Sequence, residues 1–322
     1  MSVEPTSPRE PGSGGLTRVT VGSFTPSVVL DLAGSTGALS DAGLDVTEVP
    51  VASSPGQFRS LLEGEIDVAL TSPDNVLAYR YDPSNPLGRL VDARIVSAVD
   101  RGMGLGLYGR PGLTRDALRG ARVGVDVPVS GFALALYALA DFLGVGRDEY
   151  QLLTQGSTPR RLEALLAGDS DATMLNAGNE LVAEAAGCPR LAGVSDVCAP
   201  YLGTVVAVVG GDRLEVATRL ADCLVRTAAA VATGELHDEA ASSAARRLQL
   251  SPELAVRYVE RMRDPAQGLV TDGGVDTESL RTLIDLRRRW LPSGAAASAG
   301  EAGDVLDAAL RDPGLVHPAP GR

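Results

Sequence analysis

The stretch Leu61-Leu62-Glu63-Gly64-Glu65-Ile66-Asp67-Val68-Ala69-Leu70 returns 104 residues later as Leu165-Leu166-Ala167-Gly168-Asp169-Ser170-Asp171-Ala172-Thr173-Met174. In each copy an asparagine follows five residues on, Asn75 and Asn179. The same offset aligns residues 18–21 with 122–125, Pro55 with Pro159, and residues 28–30 with 132–134. A register held from Arg18 to Asn75 implies two related α/β units. Two such units facing each other form a cleft, and open α/β folds place their sites at strand ends and between domains.

The chain has 322 residues, enough for two domains that each bury a core. Its 44% hydrophobic and 22% charged content is usual for a soluble globular protein. The net charge of −12 and pI near 4.7 argue against nucleic acid or an anionic membrane as partner, because both need a basic face to replace counterions. No run approaches the roughly 18 apolar residues of a membrane span. All 29 basic residues are arginine. Without lysine there is no Schiff base to a carbonyl substrate or to pyridoxal phosphate, and no cofactor is expected.

Cys188, Cys198 and Cys223 show no metal-ligand spacing and no CxxC pair, and read as small buried apolar residues. His237 and His317 stand eighty residues apart in helical or tail sequence, so a histidine triad or metal site has almost no material. Residues 1–15 are polar and rich in Pro, Gly and Ser, without the apolar core of a signal peptide or an early lipid-anchor cysteine. With Met1 as the native start the expected location is the cytoplasm; a trimmed start would allow an extracytoplasmic one.

Residues 16–21 predict a buried strand, and Ser23-Phe24-Thr25-Pro26 a loop into a helix ending near Ala42 before Gly43. Proline suits the first helical turn, where its missing N–H costs nothing. Strands at 44–49 and 66–70 alternate with helices at 57–62 and after Thr71-Ser72-Pro73-Asp74-Asn75. That order is the βαβ pattern of a parallel sheet. Residues 92–99 predict a connecting strand, and 105–108 a strand that opens the second unit. A short helix at 114–119, a strand at 123–126, a long helix at 132–143, a helix at 159–166 and a strand at 172–175 follow. Residues 203–209 form an apolar strand placed to lead the chain back, and helices are expected at about 213–233, 237–249, 252–263 and 276–289. The predicted organisation is a disordered lead (1–15), a discontinuous lobe I (16–99 and 212–291), lobe II (100–211), and a linker, short helix and tail (292–322).

Scarce residues point to the cleft. Asn75, Asn176 and Asn179 fall just beyond strands that should end there, and Phe24 and Phe132 lie in or beside the matching first loops. A lone asparagine more often caps a helix and a lone phenylalanine more often packs a core. The symmetric placement of the set favours a small polar organic ligand. Each loop also precedes a predicted helix, whose free N–H groups can hold a carboxylate, sulfonate or phosphate. The candidate ligand residues are Ser23, Phe24, Thr25, Ser54, Thr71, Ser72, Asn75, Ser130, Gly131, Phe132, Asn176 and Asn179. Asp74 and Asp126, at strand ends in the two units, are the carboxylates best placed for acid–base work, with helix capping the plainer reading of Asp74. Asp100 and Arg101 suit a hinge or a solvated turn equally. Gly102-Met103-Gly104-Leu105-Gly106 lacks the third glycine and following helix of a dinucleotide loop. Arg287-Arg288-Arg289 reads as a solvated cluster complementing a helix end.

The runs Ala33-Gly34-Ser35-Thr36-Gly37, Asp41-Ala42-Gly43-Leu44-Asp45-Val46 and Leu62-Glu63-Gly64-Glu65-Ile66-Asp67-Val68 resemble the nitrate/sulfonate/taurine ABC-transporter substrate-binding proteins, whose relatives include thiamine-pyrimidine precursor synthases. The resemblance continues through Leu118-Arg119-Gly120-Ala121-Arg122-Val123-Gly124-Val125 and Gly168-Asp169-Ser170-Asp171-Ala172, covering about residues 16–290. It implies an α/β, two-lobe, type II periplasmic-binding-protein-like fold with a small anionic or zwitterionic ligand between the lobes, and an ABC permease as partner if the protein is exported. The family's ligand loops map onto residues 23–25, 71–75, 130–132 and 176–179. The chain departs from the family in showing no export signal, and in carrying Asn176-Ala177-Gly178-Asn179 where an aromatic-acidic-proline run is common. It also lacks the lysine and the cysteine-rich iron motif of a precursor synthase.

Two functions remain open at this stage. A binding protein would close two lobes on its ligand, a population shift limited by differential affinity. A cytosolic lyase, dehydratase or decarboxylase on the same fold would act on a small carboxylic acid with a carboxylate, helix termini and substrate positioning alone.

Overall fold

The computed structural model describes residues 15–291 and 309–317. The predicted lead before Gly15, the linker and short helix between residues 292 and 308, and the tail after His317 lie outside the described residues.

Two five-stranded sheets repeat one plan. The first joins β1 (Thr17–Ser23), β2 (Leu44–Pro50), β3 (Val68–Thr71), β4 (Ala93–Asp100) and β10 (Thr204–Val209) in the order β2-β1-β3-β10-β4. The second joins β5 (Gly106–Gly109), β6 (Arg122–Val125), β7 (Gln151–Thr154), β8 (Ala172–Leu175) and β9 (Arg190–Gly193) in the order β7-β6-β8-β5-β9. In each sheet three parallel strands are followed by an antiparallel one, β10 or β5. Helices α1 (Val28–Ser35), α2 (Ala38–Asp41), α3 (Ser54–Glu63) and α4 (Pro73–Tyr81) belong to the first unit. Helices α5 (Gly131–Phe142), α6 (Thr158–Ala167), α7 (Asn179–Ala185) and α8 (Val194–Val197) belong to the second. Then come α9 (Leu214–Thr233), α10 (His237–Arg247), α11 (Pro252–Arg263) and α12 (Thr277–Trp290). The protein is a two-lobed α/β fold.

The repeat is visible in the local chemistry. Helices α3 and α6 each follow a serine N-cap, Ser53 or Ser157, carry proline in the first turn, and stop at a left-handed glycine, Gly64 (φ 72°) or Gly168 (φ 79°). These helices and strands β3 and β8 keep the 104-residue offset. The first strands do not. Thr20 N–H donates to Asp67 Oδ2 at 2.8 Å and Arg122 N–H donates to Asp171 Oδ2 at 2.8 Å, so Thr20 matches Arg122 and the sequence alignment of Arg18 with Arg122 is two residues out. A two-residue slip leaves every side chain on its own face of a strand, so hydrophobic alternation cannot detect it.

Two further expectations change. The helix expected to run to Ala42 breaks after Ser35, where Thr36 Oγ1 donates back to Leu32 O and Gly37 adopts φ 83°, making two helices. Strand β10 lies inside the first sheet, so the return crossing falls before Thr204 and not at residue 211. Residues 309–317 dock on the first sheet: Ile95 N–H donates to Leu315 O and His317 N–H to Ile95 O, both at 2.8 Å, along the outer side of β4. Asp312 anchors this segment by accepting from Tyr81 Oη at 2.6 Å and Arg80 Nε at 3.0 Å.

Helix α5 is apolar on nearly all sides because it is covered twice, by its own sheet and by α12. Helix α12 therefore reaches both lobes. Arg287 pairs with Asp74 on α4, while Arg289 pairs with Asp141 and Trp290 meets Tyr137 edge-on, both on α5. Helix α11 also reaches across, with Arg257 paired to Glu184 on α7.

Candidate ligand cleft

The carboxyl ends of β1, β3, β6 and β8 point into the gap between the lobes, where the chain walls a cavity of about 1050 Å³ including the solvent at its mouth. Lobe I contributes the β1–α1 loop with Ser23, Phe24 and Thr25, and the β3–α4 loop with Thr71, Ser72 and Asn75. Lobe II contributes Asp126, Ser130, Gly131 and Phe132, then Thr158 and Arg161, then Asn176. The crossing segments supply the base, with Asp100, Met103, Gly203 and Thr204, and α11 adds Tyr258 and Met262.

Local sequence explains these positions. Ser27, Ser72 and Ser130 each sit at a helix N-cap with extended backbone, accepting from the N–H of Leu30, Asp74 and Ala133. Asn75, one turn into α4, donates from Nδ2 to Thr71 Oγ1 at 3.0 Å. Asn176 donates to Gly102 O at 3.3 Å, which ties the β8–α7 loop to the first crossing. Ala177 N–H donates to Met103 O at 2.9 Å, and both residues hold left-handed backbone, φ 54° and 49°. L-residues adopt that conformation at a cost of about 1–2 kcal/mol each. The strain is located at the cleft wall.

The carboxylates have distinct settings. Asp126 accepts a short hydrogen bond from Ser130 Oγ and faces the cavity. Asp100 is buried, and burial raises its pKa even though Gly102 N–H donates to it at 2.7 Å. Arg101 pairs with Asp276 at 3.4 Å, at the point where the chain leaves β4 for the second sheet.

Not every sequence candidate lines the cavity. Asp74 is nearly sealed, and its carboxylate is held by Arg287. Burial raises its pKa against the lowering effect of that guanidinium. The turn of α4 aims it at α12 and not into the gap, which removes it as an acid–base candidate. Ser54 is buried and accepts from Tyr79 Oη at 3.3 Å. Asn179 donates to Asn176 O at 3.0 Å and stabilises its own loop. Arg287, expected to be solvated with its two neighbours, is instead a core residue.

Sequence reasoning missed Thr158, Arg161 and the α11 pair Tyr258 and Met262. The signal for the first two lay in the repeat, because Thr158 stands 104 residues after Ser54 and Arg161 the same distance after Gln57. The α11 residues belong to no repeat, and nothing local marks them. Among the described residues no group of three or more His, Cys, Asp or Glu side chains is placed to hold a metal, and no helix is long and apolar enough to cross a membrane.

No protein-family model matches the chain, and a search of curated proteins returns no match. Solved structures do. The periplasmic nitrate-binding protein NrtA from Synechocystis PCC 6803 has a TM-score of 0.69 at 12% identity, over 94% of this chain and 86% of its own. The alkanesulfonate-binding protein SsuA from Xanthomonas axonopodis pv. citri, bound to MOPS, has a TM-score of 0.66 at 16% identity, over 86% and 94%. A Candida albicans gene product described as having the generic periplasmic binding protein fold has a TM-score of 0.68 at 18% identity, over 94% and 96%. Similarity this extensive over both lobes establishes that the chain has the periplasmic-binding-protein fold.

Proposed function

We propose that the protein binds a small anionic or zwitterionic organic molecule between its lobes and is held shut by it. The observation that carries this reading is the cavity itself: hydroxyls, amides and aromatic faces reach it from both lobes. A ligand touching both walls stabilises the closed arrangement by the contacts an open one forfeits. The nitrate- and alkanesulfonate-binding names of NrtA and SsuA support an anionic ligand. An ABC permease is the partner this reading implies if the protein is exported. The competing lyase or decarboxylase reading loses Asp74 to its ion pair and rests on Asp126. Incubation with cell metabolites, followed by mass spectrometry and a melting curve, tests the proposal. Recovery of an unchanged ligand that raises Tm supports it; conversion of that ligand overturns it in favour of the enzyme.

A further inference from the structure

Gln57 on α3 and Arg161 on α6 occupy the same place in the two halves of the repeat, and they make the same bond. Gln57 Nε2 donates to Leu70 O at 3.2 Å. Arg161 Nη2 donates to Met174 O at 3.2 Å, and Nε reaches the same oxygen at 3.4 Å. Leu70 and Met174 are themselves repeat partners. Both side chains are nearly sealed, 0% and 2% exposed. In lobe I a neutral amide suffices to hold the end of the third strand. In lobe II the same task is done by a cation.

The charge is not needed for the bond, and it is costly. A buried guanidinium stays protonated and normally requires a carboxylate to offset its desolvation. Arg161 has none: its other hydrogen bonds go to Gly156 O and Thr158 Oγ1, and no carboxylate among the described residues lies within ion-pair distance. Burial lowers its pKa, with the field of Asp126 working in the opposite direction. Four of its five N–H groups are used, leaving one hydrogen on Nη1. The residue lines the cavity, where Gln57 does not.

We infer that Arg161 is the specificity-determining residue of the cleft, selecting ligands by an anionic group bound to lobe II, while the matching wall of lobe I is neutral. The inference rests on the reading of the cleft as a ligand site.

The test uses the full chain in low-chloride buffer with sodium nitrate, sulfate, methanesulfonate and acetate as probes, read by calorimetry and melting temperature. At least one probe should bind wild type once per chain and raise Tm, and R161Q should bind it at least tenfold more weakly. R161Q should fold, since glutamine already holds the corresponding carbonyl in lobe I. If R161Q does not fold, the Arg161 Nε resonance of ¹⁵N-arginine-labelled wild type, assigned through R161K, should move as the same probe is added. Absence of binding by all four probes, equal binding by R161Q, or an unmoved Nε resonance overturns the assignment. A metabolite captured in the cleft with equal affinity by wild type and R161Q would leave the binding function standing and remove Arg161 from it.

Discussion

Both carboxylate oxygens of Asp74 accept hydrogen bonds from Nη1 of Arg287, at 3.0 and 2.9 Å, with the two side chains 1% and 3% exposed. The pair fastens α4 to α12, which also packs on α5. Removing Arg287 leaves the buried Asp74 carboxylate without compensation and frees Asp82 as well, at a cost of about 3–5 kcal/mol. Arg287→Met should lose stability of that order in urea unfolding. Asp74→Leu combined with Arg287→Met should lose less than the sum of the single changes, and an additive double variant would show that the pair is not coupled.

Glu180 gives the lobe contact a dependence on pH. It is fully buried on α7, accepts from Gly178 N–H at 2.8 Å, and lies 3.8 Å from Arg261 Nε on α11. Burial pushes its carboxyl up to about 7, from an ordinary value of 4.5. The folded chain therefore keeps this proton where the unfolded chain has released it. Its stabilising contribution is complete below pH 4.5 and is lost as pH rises through 7, a change of about 3 kcal/mol. Stability of wild type minus that of Glu180→Gln, measured by denaturant titration, should fall across that interval. A flat difference curve would assign Glu180 no such role.

The two repeat-related asparagines should separate in binding assays. Asn75 lines the cavity and Asn179 does not. With a ligand recovered from metabolite capture, Asn75→Ala should weaken binding by about 1–3 kcal/mol through lost hydrogen bonding. Asn179→Ala should leave the calorimetric Kd within twofold of wild type.

Asp312 is the fixing point of the C-terminal segment on β4. Asp312→Ala should cost about 1–2 kcal/mol, because Tyr81 and Arg80 lose a shared acceptor. Amide exchange at Ile95, whose N–H is held by Leu315 O, should quicken in this variant while exchange at Val206 in the sheet interior does not.

The sequence was most readable where the repeat and helix signals agree. The helices expected at 57–62 and 159–166 lie within α3 and α6, and the shared 104-residue offset places strands β3 and β8. The β1 to β6 alignment slipped because strand periodicity is blind to a shift of two. Most of the cleft loops were legible as strand-to-helix junctions, and Ser23, Thr71, Asn75, Ser130 and Asn176, at those junctions, line the cavity. Asp74 and Asn179 were misplaced because a helix of 3.6 residues per turn rotates neighbouring positions far apart. Loop membership says nothing about that rotation. Tyr258, Met262 and the docking of residues 309–317 depend on packing between distant parts of the chain, which no local pattern encodes.

The crossings between lobes run side by side without a spacer: a Cβ built on Gly203 would lie 2.5 Å from Gly102 Cα and 2.4 Å from Asp100 Oδ1. Twist introduced in one crossing is thus felt by its neighbour. An alanine at position 203 would act as a wedge between the two crossings, prising them apart at the very base of the cleft.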